Sequence, residues 1–155
     1  MARKNQKGFS LLELVVVIMI IGILASIAVP RMKFDTLGRC KADTAARKIV
    51  TDLRRTRGVA IANAATNSSG FKLQFTGSNP YHNYSIINIS NSANIDSLSV
   101  STNVNITSTS ASEYRFGPYG NLLGGSGSKI TISADGRTYE ITFVVATGAV
   151  KCVKL

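Results

Sequence analysis

Residues 9–29 read FSLLELVVVIMIIGILASIAV, an apolar run broken by a single charge, Glu13. A helix rises about 1.5 Å per residue, so roughly twenty such residues span the hydrocarbon core of a bilayer. A cleaved secretory signal is shorter and ends in a small-residue cleavage site. Here Pro30-Arg31-Met32-Lys33 follows instead. The segment therefore reads as a retained apolar helix, with three basic residues, Arg3, Lys4 and Lys7, ahead of it.

Glu13 argues against a passive anchor. An acidic side chain in a membrane helix costs roughly 2.5–3.5 kcal/mol at the helix centre and less toward an end, and such a residue reads by default as a functional site with a partner. If the chain is cut before Phe9, a positive amine appears about one turn from Glu13. In a staggered bundle of identical helices, Glu13 of one subunit can meet the Phe9 amine of the next. A desolvated pair of this kind sets register as a polar residue does in a coiled-coil seam.

The string GFSLLELVVVIMIIGILASIAVP resembles the N-terminal signature of type IV pilins and pseudopilins. The resemblance implies that a prepilin peptidase of the inner membrane cuts after Gly8 and methylates Phe9, and that Glu13 is the assembly glutamate. It places Gly22 and Pro30 at the family's helix-loosening positions. Proline removes a backbone donor and kinks or melts a helix locally. The fold it implies is α+β: a long N-terminal helix, half transmembrane and half amphipathic, packed on a C-terminal antiparallel β-sheet domain. The expected organisation is a leader over 1–8, a transmembrane and polymerisation helix over 9–29, an amphipathic continuation over 30–62 and a β-rich head over 63–155. The expected location is the inner membrane, single-pass, with the head outside the cytoplasm.

Beyond the apolar run, Ala42, Ala45, Ala46, Ile49, Val50, Leu53 and Ala60 recur at helical spacing and make one apolar stripe. Asp35 with Arg39 and Asp43 with Arg47 stand at the favourable i,i+4 spacing. Nine basic residues lie between Arg31 and Arg57. With Asp35, Asp43 and Asp52 interleaved, they read as a solvated helix face rather than a phosphate-binding stripe. Asn63 to Gly70 stops the helix with turn formers.

The period then changes to two. Phe71, Leu73 and Phe75 alternate with polar residues as in a half-buried strand. The polar stretch over 77–112 holds short strands near 84–89 and 98–106, without a readable register. Four Asn-x-Ser/Thr sequons, at Asn67, Asn83, Asn88 and Asn105, read as chance in so Asn- and Ser-rich a chain. Asp135-Gly136 is a strong two-residue hairpin signal and Thr147-Gly148 a weaker one. The first pairs Ile132 with Tyr139 and Ile130 with Ile141; the second pairs Val145 with Val150 and Phe143 with Cys152. Both registers put the apolar residues on one face, which covers the helix stripe and turns Cys152 inward. Cys40 falls on the Arg47 side of the helix, so the two cysteines either bridge or remain separate thiols.

The segment DLRRTRGVAIANAA, the Phe116-Gly117-Pro118-Tyr119-Gly120 step and the terminal hairpin with Gly148-Ala149-Val150 are similar to the GspH/FimT group of minor pilins and pseudopilins. That resemblance implies a subunit at or near a filament tip of a type II secretion or type IV pilus system, with other pilin subunits as partners. Some FimT-like members bind DNA through closely spaced arginines near the C-terminus. The corresponding basic residues here, Arg137, Lys151 and Lys154, are scattered, so nucleic acid is the runner-up partner.

The chain carries a formal charge of +10, and a chain starting at Phe9 keeps about +7, from 15 basic and 8 acidic residues. No cofactor or metal is expected: His82 is the single histidine and no CxxC is present. GPYGNLLGGSGSK matches neither phosphate-loop spacing, and no serine has a nucleophile setting, so no enzyme is expected.

Overall fold

The computed structural model describes residues 10–28 and 35–155 of the 155-residue chain. The two stretches belong to separate compact units. The first is helix α1, Leu11–Ala28. The second carries helix α2, Asp35–Ala62, followed by nine strands.

In α2 the seven stripe residues Ala42, Ala45, Ala46, Ile49, Val50, Leu53 and Ala60 are all buried. Four of them are alanines, which lets the helix lie close against the sheets with little side-chain entropy to lose. Arg47 donates to Asp43 at 3.0 Å on the open face, as the i,i+4 spacing predicts. The helix ends at a loop organised by Asn67. Its side-chain oxygen accepts from the Ser69 and Gly70 amides, and its side-chain nitrogen donates to the Gly70 carbonyl and to Asn88 Oδ1. This sequon asparagine is a buried structural residue.

One sheet has five strands in the order β3-β2-β1-β5-β6: Asn94–Ser99, Asn83–Asn88, Phe71–Thr76, Glu113–Phe116 and Leu122–Gly124. Phe71, Leu73 and Phe75 point into the core, and Phe75 packs edge-on against both Tyr84 and Tyr114. On the outer face Lys72 pairs with Glu113 at 2.8 Å and holds that carboxyl below its ordinary range. The second sheet has the order β4-β7-β8-β9: Asn105–Ser108, Ile130–Ala134, Arg137–Val144 and Ala149–Lys154. The expected strand over 98–106 is in fact the end of β3 and the start of β4, which belong to different sheets. Helix α2 packs against both sheets.

Two hairpin registers came from sequence. In β7–β8, Ile130 faces Ile141 and Ile132 faces Tyr139, as expected, with Asp135 and Gly136 both at positive φ. In β8–β9 the register is displaced by two residues: Phe143 faces Val150 and Ile141 faces Cys152. The loop takes four residues instead of two. The Gly148 amide closes it on Val144 O at 2.7 Å, and Val145 O leaves the hairpin to accept from the Leu122 amide at 2.9 Å. A slip of two keeps each side chain on its face but carries Val145 out of the strand into solvent.

Asp52 is not part of the solvated face. It is buried, and Tyr84 Oη donates to it at 2.6 Å across the helix–sheet interface. Burial and this carboxylate push the Tyr84 phenol far above its usual value, so it remains a donor. Tyr84→Phe leaves the buried carboxylate without that donor and should cost about 1.5–3 kcal/mol, read by urea denaturation. An unchanged midpoint would show that water replaces the phenol.

Candidate functional site: an apolar helix and a clamped head

Ser10 immediately precedes helix α1, and its carbonyl accepts from the amides of Glu13 and Leu14 at 3.0 and 3.2 Å. Glu13 lies in the first turn, where a carboxylate is favoured by the unsatisfied amides of the helix start. Leu11, Leu12, Leu14 and the residues through Leu24 present apolar side chains on every side of the helix, all exposed. A helix apolar all round is stable only when lipid or other helices cover it. The described stretch of 18 residues is about 27 Å long. Among the described residues no helix is long and apolar enough to cross a membrane. Gly22 has open space around the position of a Cβ. Gly8, Phe9 and Pro30 lie outside the described residues.

In the head, three arginines at the end of α2 read from sequence as solvated, yet each reaches across to the strands. Arg54 donates to Val150 O at 3.4 Å, and Arg55 pairs with Asp96 at 2.7 Å. Arg57 donates to both Gly120 O at 3.1 Å and Thr147 O at 2.9 Å. It thereby ties the turn after β5 to the loop between β8 and β9. Gly148 sits at φ +64°, where a Cβ would overlap the Gly120 carbonyl oxygen, and Gly120 itself has φ +75°. The Phe116–Gly120 step and Gly148 are therefore two halves of one contact. The signal for it was present in the sequence as two separated glycine motifs and an arginine cluster, but nothing local linked them.

The cysteines are both free and exposed. Cys152 shares a groove with Asp43, Arg47 and Val50, whereas Cys40 lines a different one with Lys41, Thr44 and Val100. The two thiols thus line different grooves, and the structure does not bring them together. Cys152 does lie on the helix-facing side of its strand. It is nevertheless exposed, on the edge strand of its sheet and beside the groove that opens between β9 and α2. Partial burial and the Asp43 carboxylate push its thiol pKa up.

Arg137 and Lys154 lie on the helix-facing side of the second sheet, since Lys154 is opposite Tyr139 and Arg137 is two residues from it. Lys151, opposite Thr142, falls on the other face. The fold does not gather the three into one patch. Among the described residues no group of His, Cys, Asp and Glu is arranged to hold a metal.

Residues 3–29 match the family described as Prokaryotic N-terminal methylation motif. The chain is 47% identical over 53 residues to the type II secretion system core protein G of Klebsiella michiganensis, a stretch covering 34% of each protein. It thus spans about a third of the length of that relative. The fold resembles the type IV minor pilin FimU of Pseudomonas aeruginosa in two crystal forms. In one the TM-score is 0.56 at 16% identity, covering 72% of this chain and 91% of FimU. In the other it is 0.57 at 15% identity, covering 76% and 90%.

Proposed function

We infer that this chain, a type IV pilin-like protein by its N-terminal motif and by the fold of its head, is a minor pilin or pseudopilin: a structural subunit that enters a type IV pilus or type II secretion pseudopilus and contributes to its assembly or tip initiation. The observation that carries the reading is an acid in the first turn of a helix that is otherwise apolar on every side. Such a helix needs a covering environment, and its one charge needs a counter-charge within that environment.

In this proposal prepilin peptidase removes residues 1–8 and methylates Phe9. The apolar helix holds the subunit in the inner membrane with its head outside the cytoplasm until it joins the filament. Glu13 then accepts the Phe9 amine of a neighbouring subunit, while Gly22 and Pro30 loosen the helix for packing. The small residue at position 8 is what admits the junction to the peptidase. Gly8→Val is therefore expected to leave the precursor uncut, whereas the unaltered chain yields a product beginning at methylated Phe9. Intact-mass spectrometry of membrane-extracted protein decides it. Native material that retains Met1 or Ala2 would end the filament reading.

A further inference from the structure

Strand β9 is a sheet edge, and helix α2 packs against its inner face while a groove opens between the two. The register fixes which of its backbone groups are in use. Leu155 donates to Thr138 O at 3.0 Å, so residues 149, 151, 153 and 155 aim their amides and carbonyls at β8. Val150, Cys152 and Lys154 aim theirs away from the sheet. Arg54 reaching Val150 O from the helix side agrees with this phase.

Beside these outward groups lies a groove of about 570 Å³, floored by Ala46 and Val50 and walled by Arg47 and Arg54 on the helix and by Cys152 and Lys154 on the strand. Its size lies within the ordinary range for ligand sites. A strand laid along β9 would pair with the outward groups of Cys152 and Lys154, the Val150 carbonyl being held by Arg54, and drop every second side chain into the groove, the strand-addition mode of peptide recognition.

Charge selects the occupant. Asp43 is engaged by Arg47, and neither Arg54 nor Lys154 has a carboxylate partner among the described residues. Lys151 adds a positive charge on the other face of the strand. The edge sequence AVKCVK contains no acid, so a second copy would bring like charges together; edge lysines commonly guard strands in this way. We propose that the β9 edge and its groove form a docking site for an extended acidic segment of a partner protein, which adds to the second sheet as a fifth strand. The site stands whether or not the chain enters a filament.

The test uses the full chain in detergent micelles at about 50 mM salt and two fluorescent peptides of alternating residues, Glu-Val-Glu-Thr-Glu-Val and its lysine counterpart. The acidic peptide is expected to bind at least about tenfold more tightly and to slow hydrogen exchange at the Cys152 and Lys154 amides. Cys152→Pro removes one outward amide and no ladder bond, and it should weaken binding at least about tenfold. Arg54→Glu should do the same through charge, so the proposal remains testable if the proline variant folds poorly. Equal binding of the two peptides, no binding, or binding without amide protection would each overturn the proposal. An oligonucleotide that displaces the peptide and leaves the amides exchanging would likewise overturn it, and would assign the groove to nucleic acid.

Discussion

Glu13→Val is expected to be processed and inserted normally and to enter filaments at least about tenfold less often than the unaltered chain. The substitution makes the apolar run more apolar, removing up to roughly 2.5–3.5 kcal/mol of insertion cost, so a loss of assembly cannot be put down to failed membrane entry. In the proposed assembly, what disappears is the counter-charge for the amine of a neighbouring Phe9. Opposite charges about 4 Å apart attract by roughly 4 kcal/mol at an effective dielectric of 20, whereas a tenfold change in incorporation needs about 1.4 kcal/mol. Even a pair half relieved by residual solvent exceeds that. Immunoblotting of sheared filaments against the membrane fraction, in cells carrying the companion subunits, gives the ratio. Incorporation equal to that of the unaltered chain would remove the register role from Glu13, whatever the mass spectrum says about cleavage.

The second large effect is expected in the head. Gly148→Ala should lower its stability by about 3 kcal/mol, and its melting temperature by roughly 10 °C or more. Two costs combine. An L-residue at φ +64° is strained, and its Cβ would meet the Gly120 carbonyl oxygen with Phe116 Cδ1 3.3 Å away. The obstructing turn cannot step back. Arg57 holds its Gly120 carbonyl, and Leu122 is bonded to Val145 in the neighbouring loop. Gly127 is the matched control: its φ is +76°, but nothing lies within 4 Å of an added Cβ. Gly127→Ala should therefore show only the conformational cost, about 1–2 kcal/mol. Two variants melting together would mean that the contact between the loops is slack.

Several features of the head were legible because they depend on short-range periodicity. The α2 stripe from Ala42 to Ala60, the alternation of Phe71, Leu73 and Phe75, and the β7–β8 hairpin around Asp135-Gly136 all follow from spacings of a few residues, and all are buried or paired as expected. Helix period, strand period and turn chemistry act within one element, so one sequence exposes them. The β8–β9 register was not legible in this way. Its turn length is set by a bond from Leu122, more than twenty residues upstream, and only the number of residues between Val144 and Ala149 reveals it afterwards.

Charged residues divide along the same line. Asp43 and Arg47, four apart on one helix, were paired from spacing alone. Asp52, Arg54, Arg55 and Arg57 looked like more of the same solvated face, yet their partners are Tyr84, Val150, Asp96 and the Gly120 and Thr147 carbonyls. A helical wheel gives the direction of a side chain but not what the rest of the chain places opposite it.

By itself, then, the sequence determined that an apolar helix with an acid near its start precedes an α+β head, because hydrophobic period and charge placement are properties of contiguous residues. Which sheet each short polar strand joins, which groove each cysteine lines, and which strand edge stays open were decided only by tertiary structure. Those outcomes depend on contacts between residues far apart in the chain, and their energies exist only once both sides are in place.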